Sequence, residues 1–359
     1  MSNDPIPCGA EICHINLSRG FRGGERQTTL LIEELAARGW AQRAVVRGGG
    51  KLAERLRSVP HLKLVEKSAN LLTASCFGGN STLLHVHQGR SLYVAGLQRL
   101  FRRRPYIVTR RVDNPVRSNW LKRCLYRHAA CVIALTEAIA GVVNQFDPSI
   151  RCTVIPDATS ELPHDPAVSA RIRALTGRTF LVGHVGALDD SQKGQRQLLE
   201  AARQLHLSAP DIGFMLVGEG RDGAALRAAA AGLDNVYFAG QVSNVGDYLA
   251  AFDLFAFPSR REGFGSIILD AYQHGLPVIA ARTGGIPEIV RDGSNGTLFE
   301  VDDICSLTAT LVRYRDDRQL RERVGATNAQ TARHYGPETM TDRYEKIYRQ
   351  ILATTPAHA

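Results

Sequence analysis

Two carboxylates stand eight positions apart in "REGFGSIILDAYQHGLPVIA": Glu262 in a glycine-bounded turn and Asp270 inside an apolar stretch. A helix starting near Ser266 would turn its free N–H groups and positive end toward an anion. The glycines 263 and 265 would let backbone approach a ligand closely. Eight residues of helix span about 12 Å, so the two acids could grip separate hydroxyl-bearing parts of one extended ligand. Helix capping by Glu262 and simple burial of Asp270 are the ordinary alternatives. Lys193, in "DDSQKGQRQ", reads on its own as a solvated lysine before a helix. His85 and His87 in "LLHVHQGR" share one face of a strand. A metal there would need a third and fourth ligand, and no cluster in the sequence supplies them, so no metal is expected.

Strand–loop–helix units must carry these groups. "AEICHINLSRGFRGGERQTTLLIEELAARGW" reads as an apolar strand, a loop with Gly23 and Gly24, and an amphipathic helix closed by Gly39. "TFLVGHVGALDDSQKGQRQLLEAARQL" repeats the plan. Further strand-like runs follow in each half: "RAVVRG", "TLLHVH", "PYIVTRR", "CVIAL" and "CTVIP", then "GFMLVG", "VYFAG", "LFAFP" and "PVIAA". This alternation predicts α/β architecture with two Rossmann-like domains facing across a cleft, spanning 1–165 and 170–337. The proline-rich segment 156–175 reads as the linker. An amphipathic helix at about 338–353 either closes the second domain or packs back on the first.

The composition is that of a globular chain, with 44% hydrophobic and 22% charged residues. No apolar run approaches the roughly 18 residues of a membrane span, and the first residues do not read as a signal peptide. Seven scattered cysteines without a CxxC pair suggest reduced thiols and a cytoplasmic protein. The charge is uneven. Residues 1–165 hold 23 Lys+Arg and 13 Asp+Glu, net +10; residues 166–359 hold 21 and 22, net −1; together these give +9. Such asymmetry implies an anionic partner for the first half, against plain solubility as the alternative. Arg102, Arg103, Arg104, Arg110, Arg111 and Arg117, interleaved with aromatics, suit an anionic membrane surface or a pocket for phosphates and carboxylates. No nucleic-acid-binding motif is present.

The segment from Glu262 to Asp270, continued by "GLPVIAARTGGIPEIVRDGSNGTLF", resembles the E-x7-E motif of the retaining GT-B glycosyltransferases, family 4. The resemblance covers most of the chain and is clearest from about 180 to 300. It implies that Glu262 holds hydroxyls of the transferred sugar. It places the backbone of Gly263, Phe264, Gly265, Ser266 and Ile267 on sugar and diphosphate, Asp270 on the ribose, and Lys193 on the diphosphate. Gly23 and Gly24 resemble the family's GG loop, and His87 its sugar-contacting histidine. Two positions depart: Asp270 stands where the family usually has Glu, and Ala187 where it often has Arg, with Arg196 and Arg261 as candidate replacements.

The implied protein is a retaining glycosyltransferase without resident cofactor or metal. It would carry a sugar from a nucleotide donor, UDP being the commonest, to an anionic glycan or lipid-linked acceptor in lipopolysaccharide core or other surface-polysaccharide synthesis. It would bind no nucleic acid and could touch the inner face of the cytoplasmic membrane peripherally. The alternatives are a nucleotide-sugar epimerase of the same fold, or an inactive transferase-like protein that binds anionic ligands.

Overall fold

A computed structural model describes residues 6, 9–67, 82–116 and 120–354. Arg117 lies outside the described residues. The chain divides into two compact units: 1–160 together with 336–359, and 161–335.

The first unit holds a seven-stranded sheet. Its strands are β1 (Glu11–Asn16), β2 (Ala41–Arg47), β3 (Leu62–Lys67), β4 (Leu83–Val86), β5 (Tyr106–Arg110), β6 (Cys131–Ala134) and β7 (Cys152–Val154). They run in the order β3-β2-β1-β4-β5-β6-β7, every pair parallel. The second unit holds β8 (Phe180–Val185), β9 (Ile212–Val217), β10 (Val236–Gly240), β11 (Leu254–Phe257), β12 (Val278–Ala281) and β13 (Thr297–Phe299). Their order is β10-β9-β8-β11-β12-β13, again all parallel. Helices covering both faces explain why β1 and β9 are buried along their whole length. In each sheet the order reverses beside the first strand, between β1 and β4 and between β8 and β11. A crevice for a ligand forms beyond the strand ends at such a reversal.

Residues 156–175 are not one linker. Asp157, Ala158 and Thr159 are buried in the first unit. Residues Pro166–Ala174 form a helix of the second, opened by Asp165, whose side chain accepts from the Ala167 N–H. A proline early in the first turn fits, because its missing N–H would have no partner there.

The last helix, Pro337–Thr354, belongs to the first unit. Its buried Met340, Tyr344, Tyr348 and Ile351 pack with Ile12, Leu31, Leu35 and Trp40. Arg38 ties the same helix down through Asp342 and Glu345.

Candidate active-site residues in each unit

In the second unit, β8 and β11 end beside each other and present the two groups singled out by sequence. Lys193 and Glu262 form an ion pair through Nζ and Oε2. Their side chains are 20% and 17% exposed, so the pair is sheltered but reachable. Lys193 also lies 5.0 Å from the centroid of the Phe257 ring, a cation–π contact that fixes its stem. Gly194 explains how the lysine arrives there. Its φ is +65°, and a Cβ at this position would lie 2.2 Å from the Pro258 carbonyl oxygen. Only glycine lets the loop before helix Gln195–Ser208 press against the end of β11. Gln197 fastens the same contact by donating to the Pro258 carbonyl at 2.8 Å, and the Arg260 N–H donates to the Gln192 carbonyl at 2.8 Å.

His184, on β8, supports this loop from below the surface. Its Nδ1 donates to the Ala256 carbonyl at 3.0 Å, and Gln195 Nε2 lies 3.3 Å from its Nε2. Burial, with Lys193 adding to it, lowers its pKa to about 4, so it is neutral. The turn after Glu262 is tightly held. Gly263, Phe264 and Gly265 are buried, Ser266 and Ile267 half-buried, and Gly265 has φ +84°.

The helix after the turn, Ile267–Gln273, is only seven residues long. Its Ile268 and Leu269 N–H groups already donate to the Gly265 and Ser266 carbonyls. Those amides are therefore not free for an anion, which narrows the expected donor set to the turn. Asp270 is 2% exposed. Of the candidate replacement cations near Ala187, Arg196 is drawn to Asp190 at 3.6 Å and Arg261 is exposed.

In the first unit, β1 and β4 end at the other strand-order reversal. His14 and His85 are direct register partners across these strands. The rings of His85 and His87 lie 3.8 Å apart. Sequence reading missed His14, because the register that joins it to β4 is a tertiary fact. The expectation that no third ligand exists is thereby overturned: ligand nitrogens of His14, His85 and His87 lie within 4.8 Å of one another.

The cluster is nonetheless built as a hydrogen-bond network. His14 Nδ1 meets His87 Nε2 at 3.0 Å, and His14 Nε2 meets Gln42 Oε1 at 3.0 Å. His85 Nδ1 meets the Tyr348 hydroxyl and its Nε2 the Thr109 hydroxyl, both at 2.7 Å. Five of the six ring nitrogens thus have protein partners, and the sixth, His87 Nδ1, is buried without one among the described residues. Burial first, then neighbouring histidines and Arg111, holds His87 well below the ordinary histidine pKa. Arg111 beside the cluster, and the hydrogen bonds that occupy both nitrogens of His14 and of His85, make this donor set a poor fit to a metal ion.

Five of the six arginines of the expected anionic patch lie among the described residues, and they differ in exposure. Arg102 and Arg103 are exposed, Arg104 is 8% exposed, and Arg110 is half-buried. Arg111 pairs with Asp157, and its side chain is 15% exposed. It also sets the role of the paired glycines: a Cβ on Gly24 would lie 3.2 Å from Arg111 Cδ. Gly24 therefore makes room for an internal arginine, while Gly23 opens helix Gly23–Ala37 and stays exposed.

Helices Ser91–Arg102 and Trp120–Arg127 flank a half-open pocket of about 350 Å³ lined by Tyr93, Leu97, Arg99, Leu100, Leu121 and Leu125. Phe101 and Trp120 stand 78% and 80% exposed nearby in sequence. No helix among the described residues is long and apolar enough to cross a membrane.

Comparison with known proteins covers both units. Residues 21–159 match the family described as Glycosyltransferase Family 4, and residues 179–317 match Glycosyl transferases group 1. The N-acetyl-alpha-D-glucosaminyl L-malate synthase of Bacillus anthracis is 32% identical over 146 residues, 40% of this chain and 38% of that protein. The lipopolysaccharide core biosynthesis glycosyltransferase LpsE of Rhizobium meliloti is 26% identical over 265 residues, 69% of this chain and 70% of that one. Coverage of these two relatives is thus 38% and 70% of their length. The crystal structure of Anabaena HepE in complex with UDP superposes with a TM-score of 0.84 at 20% identity, over 95% of this chain and 100% of that one. With a family match on each half and a shared architecture, the chain belongs to glycosyltransferase family 4 and has the GT-B fold.

Proposed function

We propose that the chain transfers a sugar from a nucleotide-sugar donor to a glycan or lipid-linked acceptor, with retention at the anomeric carbon. The observation that carries this reading is the Lys193–Glu262 pair at the β8/β11 reversal. Its two charges fit a diphosphate and sugar hydroxyls respectively. In this reading Glu262 leaves Lys193 when the donor arrives, Lys193 turns to the diphosphate, and the Gly263–Ile267 turn meets sugar and phosphate through its backbone. Asp270 is assigned to the ribose and His87 to the sugar. The second unit is the donor side and the first the acceptor side. No resident cofactor or metal is assigned. UDP is the preferred nucleotide, supported by the UDP-glucose complex of HepE. Lipopolysaccharide core or another surface glycan is the preferred acceptor, supported by the names of three Rhizobium meliloti relatives.

The test is a thermal-shift and turnover comparison of wild type and Glu262→Ala across UDP-, GDP-, ADP- and CMP-sugars and the bare nucleotides. A ligand that binds only the native state raises Tm. One nucleotide should raise it, its sugar should add a further rise, and Glu262→Ala should lose that added rise. Turnover should fall by about a hundredfold or more, as expected when a reacting group is misplaced. Near-normal turnover in the variant would remove Glu262 from the site.

The apolar cavity and its arginine-bearing flank fit the acyl part and the anionic head of a lipid-linked acceptor or of the membrane that carries it. Substituting Glu for Phe101, Arg102 and Arg103 together should abolish pelleting with anionic vesicles. Unchanged pelleting would exclude this face.

A further inference from the structure

The first unit fixes a tautomer. Gln42 Nε2 donates to the Ile32 carbonyl at 3.0 Å, which orients the amide and turns Oε1 toward His14. An amide oxygen only accepts, so His14 Nε2 carries a hydrogen. His14 is fully buried and neutral at pH 7, its pKa lowered to about 4 by burial against the opposing bond to Gln42. Its Nδ1 is therefore a lone pair and accepts from His87 Nε2–H. His87 is neutral too, so its Nδ1 is left as a bare acceptor. That atom is buried and has no partner among the described residues. A buried acceptor without a partner is costly, which makes it a place where a ligand supplies the missing bond.

We propose that Gln42 and His14 are positioning residues that hold His87 in the Nε2–H tautomer, so that its Nδ1 receives a hydroxyl or N–H of the bound sugar and disfavours a carboxylate or phosphate oxygen. The ligand assignment rests on the transfer reading above; the tautomer does not. The selectivity runs against the local charge. Arg111 lies close enough to lower the His87 pKa and by itself would favour a carboxylate. An acceptor-only nitrogen opposes that preference, because two lone pairs facing each other cannot share a hydrogen.

The test uses the full chain with ¹⁵N-labelled histidine. Long-range ¹H–¹⁵N spectra at pH 7.5, with His87 assigned from His87→Gln, should show Nε2 protonated and Nδ1 bare. Protonation on Nδ1 overturns the proposal. His14→Phe should give mixed tautomers, while His14→Asn, which keeps an acceptor near the former Nδ1, should restore the single form. The tighter binding of UDP-glucose over UDP should fall about tenfold in His14→Phe and recover in His14→Asn, with bare UDP unchanged. UDP-glucuronate should bind wild type at least tenfold more weakly than UDP-glucose; equal or tighter binding overturns the selectivity. If His14→Phe fails to fold, Gln42→Leu replaces it, and the wild-type spectrum decides regardless. Absence of any nucleotide-sugar binding would remove the transfer reading and the ligand with it, while the relay would stand or fall on the spectra alone.

Discussion

At the scale of single residues, the free protein stores its two candidate donor-site charges against each other. Lys193 and Glu262 are paired while half sheltered from water. In the proposed reading a diphosphate drawn to Lys193 would weaken that pair, so Glu262 would compete with the anion for the lysine. Glu262→Ala should therefore bind bare nucleoside diphosphate at least as tightly as wild type while losing the contribution of the sugar. Calorimetric titration checks it, and a loss of nucleotide affinity in the variant would refute the competition. Lys193 and Glu262 were legible in the sequence because the KG pair and the E-x7-acid spacing are local patterns. His14 and Gln42 were not, because an isolated histidine or glutamine in a strand gains meaning only from the strand paired beside it.

At the scale of elements, most of the sheet was legible as apolar runs. Two strands were not. β3, at the sheet edge, has no fully buried residue, and β13 has only three residues. The helix Pro166–Ala174 escaped because Pro156, Pro163 and Pro166 together suggest a linker, although Asp165-Pro166 is itself a helix-start signal. The most exacting element is the loop at Gly194. Gly194→Ala incurs about 1–2 kcal/mol for a left-handed backbone, and its methyl would also strike the Pro258 carbonyl. Gly177→Ala is the control, since Gly177 has φ +62° and nothing within 4 Å of a built Cβ. Both should lower Tm, but only Gly194→Ala should also displace Lys193 and depress turnover. Equal effects in the two variants would show that the contact with Pro258 is unimportant.

At the scale of the whole molecule, neutral buried histidines make stability depend on acidity. His14 and His184 each drop to about 4, and His85 and His87 fall well below the ordinary value, chiefly through burial. As pH falls, the unfolded chain takes these protons first. The stabilisation is present above the unfolded value near 6.5 and is lost between there and about 4. His14 and His184 alone contribute about 3 kcal/mol each over that window, at about 1.4 kcal/mol per unit. Melting temperature should therefore begin to fall near pH 6.5, before most carboxylates titrate. A Tm that holds steady down to pH 5 would mean that these imidazoles are solvated.

The first unit is built from both ends of the sequence. Residues 161–335 form one contiguous unit, but the first unit is completed only by residues 336–359. During synthesis the unit encoded second can finish first, while the unit begun first waits for the final helix. Until Tyr348 arrives, His85 Nδ1 lacks its hydroxyl partner and Trp40 its ring neighbour at 6.2 Å. A fragment of residues 161–335 should fold alone, and a fragment of 1–160 should not unless helix 337–354 is added in trans. A stop codon or protease cut twenty residues from the end would thus damage a histidine network encoded near the beginning.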